Sequence, residues 1–132
     1  MAYRLDIVTP ERTLFSGEVL HLRVPGTEGS FGVLKGHVPM LSAMHMGQLR
    51  FRQEGRDQFQ VAISGGFVEV QGEQVTVLAE TAEFGTEIDI DRANEARDRA
   101  LKRLAEEHSV DEARAKLALN RALNRLIVSE PT

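Results

Sequence analysis

Residues 75–93 read "VTVLAETAEFGTEIDIDRA", and the pattern of the chain changes inside them. Up to Glu80, apolar and polar residues alternate as in a strand. From Asp89 onward, charged residues and alanines recur at helical spacing. Composition changes at the same place: all 11 glycines lie between Gly17 and Gly85, Phe84 is the last aromatic, and Pro131 is the only proline after Pro39. Charge does not change with it, since 7 basic residues meet 10 acidic ones up to residue 85 and 9 meet 10 beyond it. The break is therefore one of secondary structure, because glycine marks turns and weakens helix interiors. It predicts two parts, residues 1–85 and residues 86–132.

The first part reads as short strands separated by turns. Leu5 and Ile7 share one strand face, as do Leu20, Leu22 and Val24, then Phe59, Val61 and Ile63, then Val68 and Val70. "PGTEGSFG", "EGRD" and "QGEQ" carry turn chemistry. Many strands at short spacing, with no helical period between them, predict an all-β antiparallel sandwich. Ser64-Gly65-Gly66 reads as a bend or bulge where two strands approach closely.

The second part predicts an antiparallel α-helical hairpin. A first helix runs from about Asp89 to Glu107, with Ala93, Ala96, Ala100, Leu101 and Leu104 on one face. "EEHSVDE" interrupts it, and Ser109 with Glu112 forms a capping box for a second helix carrying Ala115, Leu119, Ala122 and Leu126. This stripe is rich in alanine and has no aromatics. Burying an alanine stabilises far less than burying a leucine, so the hairpin needs something to dock on and is a candidate moving part.

Composition excludes several roles. A net charge of −4 lacks the basic face that sequence-independent nucleic-acid binding needs. With no cysteine, disulfides and thiolate chemistry are absent. No apolar run approaches the roughly 18 residues of a membrane span, which predicts a soluble protein without membrane insertion. "FGVLKGHVPML", Phe31–Leu41, resembles a phosphate loop only superficially: Lys35 precedes Gly36, no Ser or Thr follows, and no helix starts there. "AISGG" lacks the first glycine of a nucleophile elbow and is followed by a strand. His21, His37, His45 and His108 lack the i, i+4 spacing of a helical metal pair. No catalytic residues and no metal are expected.

Four motifs in order along the whole chain resemble the epsilon subunit of the F-type ATP synthase, bacterial type. "DIVTPERTLFSGEV" is similar to that family's opening strands and "EGSFGVLKGHVPML" to its bottom loop. "ISGGFVEV" with "VTVLAETAE" resembles its sheet segments, and "IDIDRA" its nucleotide motif. Ser30-Phe31 and Lys35 depart from the usual loop, where proline is common in place of the lysine. The resemblance implies a non-catalytic rotor subunit of the central stalk, peripheral on the cytoplasmic side of the bacterial membrane. The sandwich would bind the gamma subunit and rest on the c-ring, while the hairpin would extend toward the catalytic alpha and beta subunits and inhibit ATP hydrolysis. Phe31, Val33, Leu34 and Met40, rimmed by Lys35 and His37, then form the expected docking loop. A free-standing ATP-sensing module is the alternative.

The same family suggests ATP as a regulatory ligand of the folded hairpin. Arg92 and Arg99 are seven residues apart and share a helix face; Arg121 and Arg125 are four apart on the other helix. An antiparallel turn near His108–Ser109 brings Arg125 level with Arg92, so that forked guanidinium donors could surround a triphosphate. Glu83 and Asp89 would accept hydrogen bonds from base or sugar, Ala93 would permit close approach, and Ile88 would offer apolar contact. "IDIDRA" matches the nucleotide-binding motif of the family at Ile88, Asp89, Arg92 and Ala93.

Overall fold

The structure, a computed structural model, describes residues 2–105 and 112–129. Alternation of apolar residues produces ten strands, in chain order β1 (Tyr3–Val8), β2 (Thr13–Val19), β3 (His21–Gly26), β4 (Gly29–Val33), β5 (Met40–Met44), β6 (Gly47–Arg52), β7 (Gln58–Ile63), β8 (Gly66–Gln71), β9 (Gln74–Ala79) and β10 (Ala82–Phe84). A single 3-10 turn, Gly85–Glu87, leads to α1 (Ile90–Ala105) and α2 (Glu112–Ser129).

The strands form one hydrogen-bonded path, β10-β7-β6-β3-β5-β8-β9-β1-β2, with β4 paired to β3 off that path. The path folds over one core in which Leu5 and Ile7, Leu22 and Val24, Leu49 and Phe51, Val61 and Ile63, Val68, and Val75 and Val77 meet. These are the inward positions of the period-two pattern, so each strand buries one face and leaves the other for function. One pairing departs from the antiparallel expectation: β1 runs parallel to β9, with Leu5 opposite Val75 and Ile7 opposite Val77. No hairpin joins these two strands, so nothing local dictates their relative direction.

Tyr3 is buried at the edge of this core, and its hydroxyl donates to the Val33 carbonyl at 2.6 Å. Burial holds its phenol well above the ordinary tyrosine pKa. The predicted bend is explained by Gly66, whose φ is +144° and where an added Cβ would fall 2.0 Å from the Leu78 carbonyl oxygen. Only glycine fits there.

Asp89 starts α1 as its N-cap, its Oδ1 accepting the Arg92 N–H at 3.1 Å. Ala93 and Ala100 are buried on α1, as are Ala115 and Ala122 on α2. Leu101, predicted on the same face, is instead 48% exposed; a helix turns about 100° per residue, which carries it some 80° from the stripe through Ala93 and Ala100. Ser109 and the turn at His108 lie outside the described residues. The helices are antiparallel, because Ile88 and Ala93 at the start of α1 cluster with Val128 at the end of α2 and with Ala62 of β7. Asn124 and Val128 are also buried, about half a turn from Ala115 and Ala122. Thus α2 has two packed faces, one on α1 and one on the sandwich.

Candidate functional site

The expected docking loop is partly dismantled by the fold. Val33 is 1% exposed and belongs to the core, so it cannot meet a partner; as the last residue of β4 it falls on the inward phase of the alternation. Phe31 and Met40 are partly buried against the same core. Leu34 does project, at 60% exposure, joined by Val38 and Leu41 at 69% each. Lys35 lies beside them and pairs with Glu73 at 3.4 Å, while His37 Nδ1 is 2.8 Å from the Val38 carbonyl oxygen.

Sequence reasoning missed a second apolar surface. Phe67 sits between Ala43 on β5 and Leu78 on β9, directly opposite both. Phe67 and Leu78 are 52% and 51% exposed, and Leu41 lies diagonally from Phe67 on the same outer face. A signal existed: with Val68, Val70, Val75 and Val77 turned inward, Phe67 and Leu78 must point out. Large apolar side chains gathered on a sheet's outer face mark a contact surface.

The residues expected to hold a nucleotide are divided by the structure. Glu83, Arg121 and Arg125 line one groove of about 410 Å³ between β7, β10 and α2, with Ser64, Glu80 and Thr81 around them. Within it the Arg125 guanidinium donates to the Glu83 carboxylate. Ile88 and Ala93 are apolar packing residues of the hairpin seam, and the Asp89 carboxylate is occupied as a helix cap. Arg92 and Arg99 are exposed on α1 and do not line that groove. The alternative site motifs contribute nothing further: among the described residues no three His, Cys, Asp or Glu side chains converge as metal ligands, and no helix is long and apolar enough to cross a membrane.

A β-sandwich bearing outward apolar patches, with an antiparallel helical pair laid against its side, defines a two-part binding subunit. The family described as "ATP synthase, Delta/Epsilon chain, beta-sandwich domain" matches residues 2–85, and its "long alpha-helix domain" matches residues 86–130. The ATP synthase epsilon chain of Nitratidesulfovibrio vulgaris is 50% identical over 125 residues, covering 94% of this chain and 92% of its own. That of Desulforamulus reducens is 45% identical over 128 residues, covering 96% of each. In solved structures, a chain of the Euglena gracilis mitochondrial ATP synthase, OSCP/F1/c-ring, shares the fold with a TM-score of 0.82 over 93% of this chain and 78% of that one, at 23% identity. The chain belongs to the ATP synthase delta/epsilon family and is similar throughout its length to bacterial epsilon chains.

Proposed function

We propose that this chain is a non-catalytic rotor subunit of a bacterial F-type ATP synthase, peripheral on the cytoplasmic face of the membrane. In this role its sandwich docks on the stalk, and its hairpin regulates ATP hydrolysis. The observation that carries this reading is the contrast between the two contacts of α2. Its packing rests on alanines toward α1 and on a small cluster of Ala62, Ile88 and Val128 toward the sandwich, beside a sandwich core of leucine, isoleucine, valine and phenylalanine. At roughly 0.8 kcal/mol per buried methylene, the hairpin is held far more weakly than the sandwich is held together, as a switching element must be.

The Euglena gracilis chain that shares this fold belongs to an OSCP/F1/c-ring assembly, which supports c-ring contact here; the exposed Leu34 and Val38 are the side chains that would make it. The Leu41–Phe67–Leu78 face suits the gamma subunit. When extended, the hairpin would reach the catalytic alpha and beta subunits. ATP is the regulatory ligand proposed for the folded hairpin, with Arg92, Arg99, Arg121 and Arg125 supplying donors. Its triphosphate would compete with Glu83 for Arg125, freeing Glu83 for the base or sugar.

The test uses the assembled enzyme. A complex whose copy of this chain stops after Gly85 should assemble and hydrolyse ATP faster than the complete one, and equal rates at every nucleotide concentration would refute inhibition. For the ligand, calorimetric titration of ATP should show binding that Arg92→Ala weakens. No heat at millimolar ATP, or identical binding by the variant, would refute the nucleotide site.

A further inference from the structure

The outer face of β3 and β6, beside α2, concentrates positive charge. Arg23 stands directly opposite Arg50, and His21 directly opposite Arg52. The Arg23 and Arg50 charges, set directly opposite each other, repel. Among the described residues, Arg23, Arg50 and Arg52 take part in no ion pair. The chain is not short of carboxylates, with 20 acidic residues to 16 basic ones. Other arginines use them: Arg4 lies 3.7 Å from Asp6, Arg12 3.5 Å from Glu87, and Arg125 pairs with Glu83. Arg56, Arg92, Arg99, Arg103 and Arg121 are also outside these ion pairs, but on β3 and β6 the strand register sets two such arginines, Arg23 and Arg50, directly against each other.

The Arg23–Arg50 end of that face, together with His45, forms one wall of a groove of about 530 Å³, whereas His21 and Arg52 lie outside it. The helix supplies the other wall through Leu117, Leu123 and Ile127, which are 49%, 40% and 48% exposed. Helical spacing gathers these three with Asn120 and Asn124 on one flank, an arc of about 120°. An occupant that satisfies both walls must carry carboxylates and apolar side chains together. A small inorganic anion would use only the arginines, and a purely apolar peptide only the helix. We infer that this groove docks an acidic amphipathic segment of a partner protein, with its carboxylates on the Arg23 and Arg50 guanidinium groups and its apolar side chains against Leu117, Leu123 and Ile127.

Charge complementarity selects the sign of the occupant, and forked guanidinium donors suit carboxylates well. The groove's size falls within the range of ligand clefts. Because α2 forms one wall, a segment seated there favours the hairpin's position on the sandwich by mass action. The groove adjoins the one holding Glu83, Arg121 and Arg125, sharing Met46 and Asn124 with it, but none of those three charged residues lines it.

The test is fluorescence anisotropy of the full chain with a labelled synthetic peptide carrying glutamate and leucine on one face of a helix. Wild type should bind it, with affinity falling as salt rises. The same peptide with glutamine for glutamate should not bind. The double variants Arg23→Gln/Arg50→Gln and Leu117→Ser/Leu123→Ser should each lose about tenfold or more in affinity; Arg23, Leu117 and Leu123 are exposed and Arg50 is half-buried, and circular dichroism checks that the fold is retained. No binding by wild type at millimolar peptide would overturn the inference, as would equal binding by either double variant. Inorganic polyphosphate binding equally to wild type and Leu117→Ser/Leu123→Ser, without peptide binding, would reduce the groove to an anion site and also overturn it.

Discussion

Asn124 of α2 and Gln48 of β6 are joined by a hydrogen bond in which Gln48 Nε2 donates to Asn124 Oδ1 at 2.9 Å. The Asn124 Nδ2 group donates in turn to the Gly47 carbonyl at 3.0 Å. Asn124 is the one buried side chain of wholly polar type among the described residues, and both ends of its amide are satisfied by the sandwich. A buried amide is tolerated only where its partners are in place, so this residue specifies the seat of α2.

Replacing Asn124 by leucine should therefore loosen the hairpin. Gln48 and the Gly47 carbonyl would be left facing an apolar group, at a cost of about 1–3 kcal/mol. Hydrogen exchange should accelerate through α2 and stay unchanged in β1 and β9. Unaltered exchange in α2 would show that the amide does not hold the helix.

Two glycine substitutions should separate the parts of the molecule. An added Cβ at Gly85 would lie 2.3 Å from the Val128 carbonyl oxygen, whereas one at Gly66 strikes β9. Gly85→Ala should displace the end of α2 and raise its protease sensitivity while leaving the sandwich's unfolding midpoint nearly unchanged. Gly66→Ala should destabilise the sandwich itself by about 2–3 kcal/mol or more in urea unfolding. The reverse pattern would contradict the assignment of these contacts.

Tyr3→Phe should cost about 1–2 kcal/mol, because the Val33 carbonyl loses its buried donor. The wild-type phenol has a folded pKa above its unfolded value near 10, so the folded state holds this proton more tightly. Its contribution is full below about pH 10 and is lost as pH rises toward the folded pKa. In alkaline unfolding curves the advantage of wild type over Tyr3→Phe should shrink steadily as pH rises above about 10.

The opposite sign applies to Asp6. A hydrogen bond from Ser16, aided by Gln74 and the Arg4 charge and opposed by desolvation, lowers its pKa. That contribution is full above the ordinary aspartate value of about 3.9 and is lost as pH falls through the folded pKa. Asp6→Asn should flatten this part of the acid-side stability profile, measured by urea unfolding at several pH values. An unchanged profile would show the network to be energetically idle.

The core was legible because alternation alone places Leu5, Ile7, Val61 and Val68 inward, and local pattern and buried position agree. The helix break was legible from glycine usage ending at Gly85. Parallel pairing of β1 with β9 was not, since no local feature encodes the direction of two strands so distant in sequence. Val33 was misplaced because a loop motif was read without its strand phase. Asn124 was invisible for a different reason: on a helix surface an asparagine looks solvated until a second element is known to cover it. The arginines expected around a triphosphate illustrate the same limit, as spacing places Arg121 and Arg125 on one face but does not foretell that Glu83 takes the second.

The parallel seam between β1 and β9 has a bearing on how the protein is made. Arg4 pairs with Gln74 and Val8 with Leu78, roughly 70 positions later. On a ribosome the first strand therefore waits, without its neighbour on that side, until nearly the whole sandwich has emerged. Contacts so distant in sequence make for slow closure. The helical segment follows β10 in the chain, so a nascent sandwich can close while the hairpin is still being synthesised.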